Sequence, residues 1–161
     1  MAKANPIPAG CERVIPHLTV KSAAEAIKFY EKAFGAKEII RMPGPDGKSI
    51  MHAEIRIGPS MFFLNEEHPA MKCLSPQSLN GTPVALTMYV EDVDKSYAQA
   101  VAAGATSMGP PMNMFWGDRY VGLIDPFGHK WALATHIEDV PPAEMAKRGQ
   151  EAMKKMGQPQ Q

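Results

Sequence analysis

The feature that most constrains this chain is that it repeats one plan. Val20-Lys21-Ser22-Ala23-Ala24-Glu25-Ala26-Ile27-Lys28-Phe29-Tyr30 is matched in pattern by Val90-Glu91-Asp92-Val93-Asp94-Lys95-Ser96-Tyr97-Ala98-Gln99-Ala100. An apolar, strand-like run precedes each, residues 14–20 and 83–90. Each then offers a polar helix start, Ser22 or Asp92, whose side-chain oxygen can accept from the free N–H groups of a first turn. Each continues at helical spacing and stops at Gly-Ala, Gly35-Ala36 and Gly104-Ala105. Glycine there tolerates the left-handed backbone that ends a helix. Ser22 to Asp92 is an offset of 70 residues, and Gly35 to Gly104 one of 69. Identity between the copies is slight, so what repeats is a structural plan, and a repeat on that scale sets the architecture.

Short strand candidates follow each helix. In the first copy they are residues 38–42, 49–57 and 60–64, with Pro43-Gly44-Pro45-Asp46-Gly47 as a turn. In the second they are 106–108, 118–124 and 130–136, with Asp125-Pro126-Phe127-Gly128 as the matching turn. Proline presets φ and Asp or Gly supplies the remaining turn geometry. Both copies read β-α-β-β-β, and the expected class is α+β. The expected domain spans 12–139, with module one at 12–65, a Pro-, Ser-, Asn- and Gly-rich linker at 66–82, and module two at 83–139. Residues 1–11 form an N-terminal extension. Within 140–161, a helix opens at Val140-Pro141-Pro142 and runs to about Met156, with Met145, Gly149, Ala152, Met153 and Met156 on one stripe. It is expected to lie on the domain or on a second subunit, and 157–161 to carry no regular structure.

Charge excludes one class of partner. Lys plus Arg total 17 and Asp plus Glu total 17, which leaves no basic excess for a phosphate backbone, so nucleic acid is not expected. No apolar run approaches the ~18 residues of a membrane span, and residues 1–13 lack the apolar core of a secretory signal. Membrane partners are therefore not expected. Cys11 and Cys73 have no metal-ligand spacing and read best as free thiols in a reducing compartment, although a bond between them is left open. No phosphate-binding glycine loop or nucleophile elbow is present, so no nucleotide cofactor is suggested.

Two stretches carry candidate chemistry. Across 49–57, Met51, Ala53, Ile55 and Ile57 alternate with Ile50, His52, Glu54 and Arg56. The first set suits packing against helices; the second suits a binding wall or solvent. His52 and Glu54 share a face and are candidates for proton transfer; cross-strand pairing on a polar outer face is the structural alternative. Phe115-Trp116-Gly117-Asp118-Arg119-Tyr120 combines aromatic planes with a guanidinium and a carboxylate. Arg119 could anchor an anion, and the rings could stack on a planar ligand or a cation. An Asp118–Arg119 pair bracing a turn is the alternative. Met108, Met112 and Met114 lie beside this cluster and suit an adaptable pocket or ordinary core filling. Trp131 reads as core, and His68 and His136 show no partner in the sequence.

Taken together, several stretches resemble the vicinal oxygen chelate (glyoxalase/bleomycin resistance protein/dioxygenase) superfamily. They are Ile15-Pro16-His17-Leu18-Thr19-Val20, Ala26-Ile27-Lys28-Phe29-Tyr30, Ala33-Phe34-Gly35-Ala36, Met51-His52-Ala53-Glu54, Ser75-Pro76-Gln77-Ser78, Gly81-Thr82-Pro83-Val84, Tyr89-Val90-Glu91-Asp92-Val93, Gly117-Asp118-Arg119 and Asp125-Pro126-Phe127-Gly128-His129-Lys130-Trp131. The first three of these carry the superfamily resemblance; the rest, together with Arg41-Met42-Pro43-Gly44-Pro45-Asp46-Gly47, narrow it to the PhnB-like branch. The resemblance implies tandem βαβββ modules forming a curved mixed-sheet cup, a small-molecule ligand, a homodimer and a bacterial cytoplasmic setting. It also implies, for enzyme members, a divalent metal held by a His on the first strand of each unit and a Glu on the last. Counted from Phe29, Val90 and Asp125, those positions fall on Ile15, Ala85 and Ala132, all aliphatic. His17 shares a strand face with Ile15, but the equivalents are Thr87 and Ala134, a poor donor set. No metal cofactor is expected, and a divalent ion is disfavoured rather than excluded.

Two functional expectations follow. One is a bleomycin-resistance-like binding protein that takes a small, partly aromatic or anionic molecule in a dimer cup, with His17, Phe115, Trp116, Arg119 and Tyr120 as ligand-binding residues. The other is a metal-dependent glyoxalase-like lyase, isomerase or transferase, with His52 or Glu54 as base and an enediolate-type intermediate. An unliganded structural or regulatory dimer is a third.

Overall fold

The computed structural model describes residues 4–8, 11 and 14–156. In the first module, strand β1 (His17–Val20) leads into helix α1 (Ala23–Phe34), then β2 (Lys37–Pro43), β3 (Ile50–Ile57) and β4 (Ser60–Glu66). A 3-10 turn (Pro69–Met71) and the short helix α2 (Pro76–Leu79) lie in the connection. The second module follows as β5 (Ala85–Tyr89), α3 (Val93–Ala103), β6 (Thr106–Ser107), β7 (Met112–Asn113), β8 (Asp118–Ile124) and β9 (Lys130–His136), and α4 (Pro142–Met156) ends it. Sheet one has the order β1-β4-β3-β2; sheet two has the order β5-β9-β8-β6, with β7 also on β8. In each sheet the module's first and last strands pair in parallel and the rest antiparallel. The expected α+β architecture of two open mixed sheets is present.

Alternation along the strands explains the layering. Leu18, Val20, Ala53, Ile55, Phe62 and Leu64 are buried, and with Ala26, Ile27, Tyr30 and Ala33 of α1 they belong to one core cluster. Val121, Leu123, Trp131 and Leu133 of sheet two join the same cluster, with Val93 and Ala100 of α3. Full burial of a side chain such as Leu64 or Leu133 contributes about 1.5–3 kcal/mol. The helices start where the sequence places them, but their first N–H groups are met from the sheets. Glu66 at the end of β4 accepts from Ala23 N (3.2 Å), and Thr135 near the end of β9 accepts from Val93 N (2.9 Å). Asp92 caps α3 through Lys95 N, whereas the Ser22 side chain makes no capping bond. Both helices stop at left-handed glycines, Gly35 and Gly104.

Three local expectations change. The first strand is shorter than residues 14–20: β1 begins at His17, opposite Phe63, and Val14 is 95% exposed. Pro16 has no N–H to extend the ladder. Second, Met42 pairs with His52 but Pro43 pairs with Ile50, so Met51 is an extra residue in a bulge. Ile50 is buried and Met51 exposed, the reverse of simple alternation. Third, the connection holds order of its own. Ser75 is fully buried, donates from its hydroxyl to Glu67 (2.7 Å) and caps α2.

One buried carboxylate helps join the modules. Asp125, 4% exposed, accepts from Tyr30 Oη of α1 (2.7 Å), Trp131 Nε1 (3.0 Å) and the backbone N–H groups of Phe127 and His129 (both 2.9 Å). Burial first, and then the neighbouring Asp125 carboxylate, push the Tyr30 phenol well above its usual range. Gln77 Nε2 donates to Pro126 O and His129 Nε2 lies 3.0 Å from Thr19 O, so the same turn is also tied to the linker and to β1.

Helix α4 lies on the domain: Gly149 packs on the Phe115 ring, and Arg148 binds Glu138 and Glu144. Met153 of its expected stripe is exposed. Residues 157–161, expected to carry no regular structure, lie outside the described residues. Cys11 and Cys73 are not bonded to each other.

Candidate functional site

Each sheet has one face under a helix and one open face, and the open faces hold most of the candidate chemistry. On sheet one, the strand parity that sends Leu18 and Val20 inward sends His17 and Thr19 outward. The pairing then places Phe63 and Asn65 of β4, His52 and Glu54 of β3, and Ile40 and Met42 of β2 on the same face. His17, His52 and Phe63 stand edge to face, with ring centroids 5.9, 5.7 and 4.9 Å apart. Burial first, and then the neighbouring His52, hold His17 below the ordinary imidazole range, against the opposing pull of a bond with Asn65. His52 Nε2 is 3.9 Å from Glu54 Oε1, too long for a direct hydrogen bond but within reach through a water. Thr19 Oγ1 lies 3.2 Å from the Cys73 thiol and 3.4 Å from Asn65 Oδ1, which extends the polar row.

The open face of sheet two is organised by Asp118, only 5% exposed. It accepts from Tyr89 Oη (2.8 Å), Trp116 Nε1 (3.0 Å) and His136 Nδ1 (2.8 Å). Desolvation pushes this carboxyl up, but the bonds from His136, Tyr89 and Trp116 outweigh it and leave Asp118 below the usual range. Phe115 stands edge-on to Trp116 at 4.9 Å, and Trp116 to Tyr120 at 5.9 Å. Phe115, Trp116 and Tyr120 therefore form one aromatic chain.

Arg119 is turned the other way. It lies opposite Thr135 on the helix-facing side and grips Asp94 of α3 with two bonds (2.6 and 2.7 Å), and Asn113 with a third (2.9 Å). Asp118 and Arg119 do not pair with each other. Of the candidate residues, the fold thus brings His17, His52 and Glu54 together around Phe63, and Phe115, Trp116 and Tyr120 together around Asp118. Among the described residues no hydrogen bond or ring contact links the two groups.

Tyr89, His136 and Phe63 were not candidates in the sequence. The signal for His136 was present, because β8 and β9 run equally far from the Asp125–His129 turn and this sets Asp118 opposite His136. Phe63 pairs with both His17 and Glu54, which needs the sheet order and is invisible locally. A cavity of about 940 Å³ lies between the modules; Ile15, Phe34, Met61, Leu86, Met88 and Trp131 line it, and Tyr89 of the Asp118 group stands at its wall. None of its described lining residues is charged, and Ser60, Thr87, Tyr89, Ser96 and Gln99 supply its polar side chains; the candidate residues named from the sequence, Trp131 and Arg119 apart, lie on the open faces instead.

Residues 13–133 match the family described as the Glyoxalase/Bleomycin resistance protein/Dioxygenase superfamily. The chain belongs to this superfamily. It is 47% identical over 128 residues to an uncharacterized protein of Mycobacterium bovis, covering 78% of this chain and 84% of the relative. An uncharacterized protein of Mycobacterium tuberculosis is also 47% identical over 128 residues, covering 78% and 75%. Among solved structures, TioX from Micromonospora sp. ML1 superposes with a TM-score of 0.63 at 24% identity, covering 78% of this chain and 99% of TioX. A glyoxalase/bleomycin resistance protein/dioxygenase family enzyme from Burkholderia phytofirmans PsJN gives 0.60 at 23%, covering 75% and 95%. These structural likenesses speak for the fold.

The metal that the superfamily's enzymes are expected to hold does not fit this member. Ile15 precedes β1 and lines the inter-module cavity, while Ala85 and Ala132 lie on the open face of sheet two. None offers a nitrogen, oxygen or sulfur donor. Among the described residues no three His, Cys, Asp or Glu side chains converge on a point that could hold an ion. No described helix is long and apolar enough to cross a membrane.

Proposed function

We infer that this superfamily member binds a small, partly aromatic or anionic molecule on its open sheet faces, as a cytoplasmic homodimer of the PhnB-like kind, and works without the metal used by catalytic relatives. The observation that carries this reading is the His17–Phe63–His52 group: an aromatic plane with two imidazole edges, flanked by Ile40 and Met42, each 46% exposed. An aromatic plane favours a flat ligand, and imidazole N–H groups favour an oxyanion at its rim. Trp116 and Tyr120 offer a second stacking surface. Apolar side chains left exposed on both open faces, Ile40, Met42, Tyr89, Met108 and Met112, are the surface a second copy would cover.

Calorimetric titration with benzoate and its hydroxylated forms tests this reading. Saturable binding is expected in the wild type, weakened about tenfold or more by Phe63→Ala and by His52→Ala. Arg119→Ala should bind as the wild type does, because its guanidinium is engaged by Asp94 on the other side of the sheet. No saturable heat with any of these probes, or a larger loss from Arg119→Ala than from Phe63→Ala, would sink the assignment. Metal is tested separately by elemental analysis of untagged protein. Substoichiometric divalent metal is expected, both as purified and after incubation with added ions. A stoichiometric ion that disappears in His17→Ala would instead favour metal-assisted chemistry.

A further inference from the structure

We propose that His136 is a proton-operated fastener for the C-terminal helix. Doubly protonated, it joins sheet two to the loop that carries α4, and release of one proton to solvent removes that tie and loosens the loop.

The argument begins with the two ring nitrogens. Nδ1 lies 2.8 Å from Asp118 Oδ1, and Nε2 lies 3.0 Å from Asp139 Oδ1. Ionised carboxylates only accept, so both bonds exist together only when the imidazole carries both protons. A neutral ring has one N–H and must face the other carboxylate with a lone pair. Asp118 is the buried partner and is already positioned by Tyr89 and Trp116, so the bond given up is the one to Asp139.

Asp139 is fully exposed and belongs to the stretch between β9 and α4. That stretch is otherwise held by Ile137 N and Glu138 N donating to Gly117 O, and by Glu138 gripping Arg148 of α4. The groups facing His136 are Asp118 from β8, Asp139 from the loop, Trp116 from the turn before β8, and the uncharged Val140, Pro141 and Met145. Arg148 stays charged throughout, since Glu138 and Glu144 only raise its affinity for the proton. His136 is therefore the member of this set that titrates near neutrality.

The bonds to Asp139 and then Asp118 hold the imidazole above its ordinary value of 6.5. A group raised in the folded form contributes fully below its unfolded value and loses that contribution as pH rises through the folded one. The fastener is thus closed at mildly acid pH and opens toward the alkaline side. What it covers is the Phe115 ring, against which Gly149 of α4 packs and on which Trp116 stands.

The test is hydrogen exchange of α4 in the full chain between about pH 6 and pH 9, corrected for intrinsic rates, with the His136 ring proton followed by NMR. In the wild type, α4 protection should fall severalfold as His136 deprotonates above its ordinary value. Asp139→Asn should remove this pH dependence and lower the His136 titration, because an amide N–H can donate to the neutral ring nitrogen. His136→Gln should show weak α4 protection at every pH. The proposal is overturned if α4 protection is flat with pH in the wild type, or if it follows the same course in Asp139→Asn.

Discussion

Asp125→Ala is expected to lower the unfolding free energy by about 3–5 kcal/mol, the cost of stranding several buried donors less what rearrangement recovers. For a chain of this size that lowers the melting temperature by roughly 6–20 °C. The substitution strands the Tyr30 hydroxyl, the Trp131 indole N–H and the backbone N–H groups of Phe127 and His129, all of which donate to this carboxylate. Buried donors without an acceptor cost about 1–3 kcal/mol each before any rearrangement. Tyr30→Phe removes one donor and leaves three in place, so its cost should be well under half as large. Urea unfolding followed by circular dichroism and Trp fluorescence gives both numbers. If Asp125→Ala unfolds within ~1 kcal/mol of the wild type, the carboxylate is not a joint between the modules.

Gly117→Ala is expected to cost about 2–4 kcal/mol, from left-handed strain together with overpacking. Gly117 has φ +99, and a Cβ there would fall on the Glu138 carbonyl oxygen and press on Val140. Both neighbours belong to the stretch leading to α4, so the damage should be local: cleavage by a protease between residues 136 and 142 should quicken more than the global unfolding rate. Gly149→Ala is the contrast. Its Cβ would meet only the edge of the Phe115 ring, at 3.2 Å, and alanine gains about 1 kcal/mol of helix propensity over glycine. Its effect should be near neutral. Equal losses from the two substitutions would mean that the Gly117 backbone is not what seats the loop.

The paired modules were legible because their signals are local: alternation along the strands, Gly-Ala stops at Gly35 and Gly104, and turns rich in proline and glycine. The bulge at Met51 was not, since it depends on how β2 pairs with β3 across the Pro43 turn. His17, His52 and Glu54 could be assigned to faces from strand period alone, and they share one. Arg119 obeys the same period. Its neighbourhood in sequence is aromatic and suggests a ligand anchor, yet its parity on β8 sends it to Asp94. Asp118, one residue earlier, collects the partners instead. The expected strand 118–124 matches β8, and its alternation puts Arg119 on the face of the buried Val121 and Leu123; the aromatic neighbours, not the strand boundary, pointed the other way. The Glu66 and Thr135 contacts to the helix starts were hidden for another reason: each joins residues more than forty positions apart.

The reach of the Tyr30–Asp125 bond, across 95 residues, bears on how the chain is made. Sheet one needs nothing beyond Glu66 for its own ladder, because its first and last strands are already paired by that point. A nascent chain that has cleared the ribosome to the end of the first module can therefore close that sheet. It does so with a phenol in its interior whose acceptor has not been synthesised, and with Phe29, Phe34 and Phe62 lacking the Phe127 and Trp131 rings they will pack on. The early half is thus provisional. Its packing is completed only when the tight turn at Asp125 emerges and brings the acceptor and the two rings.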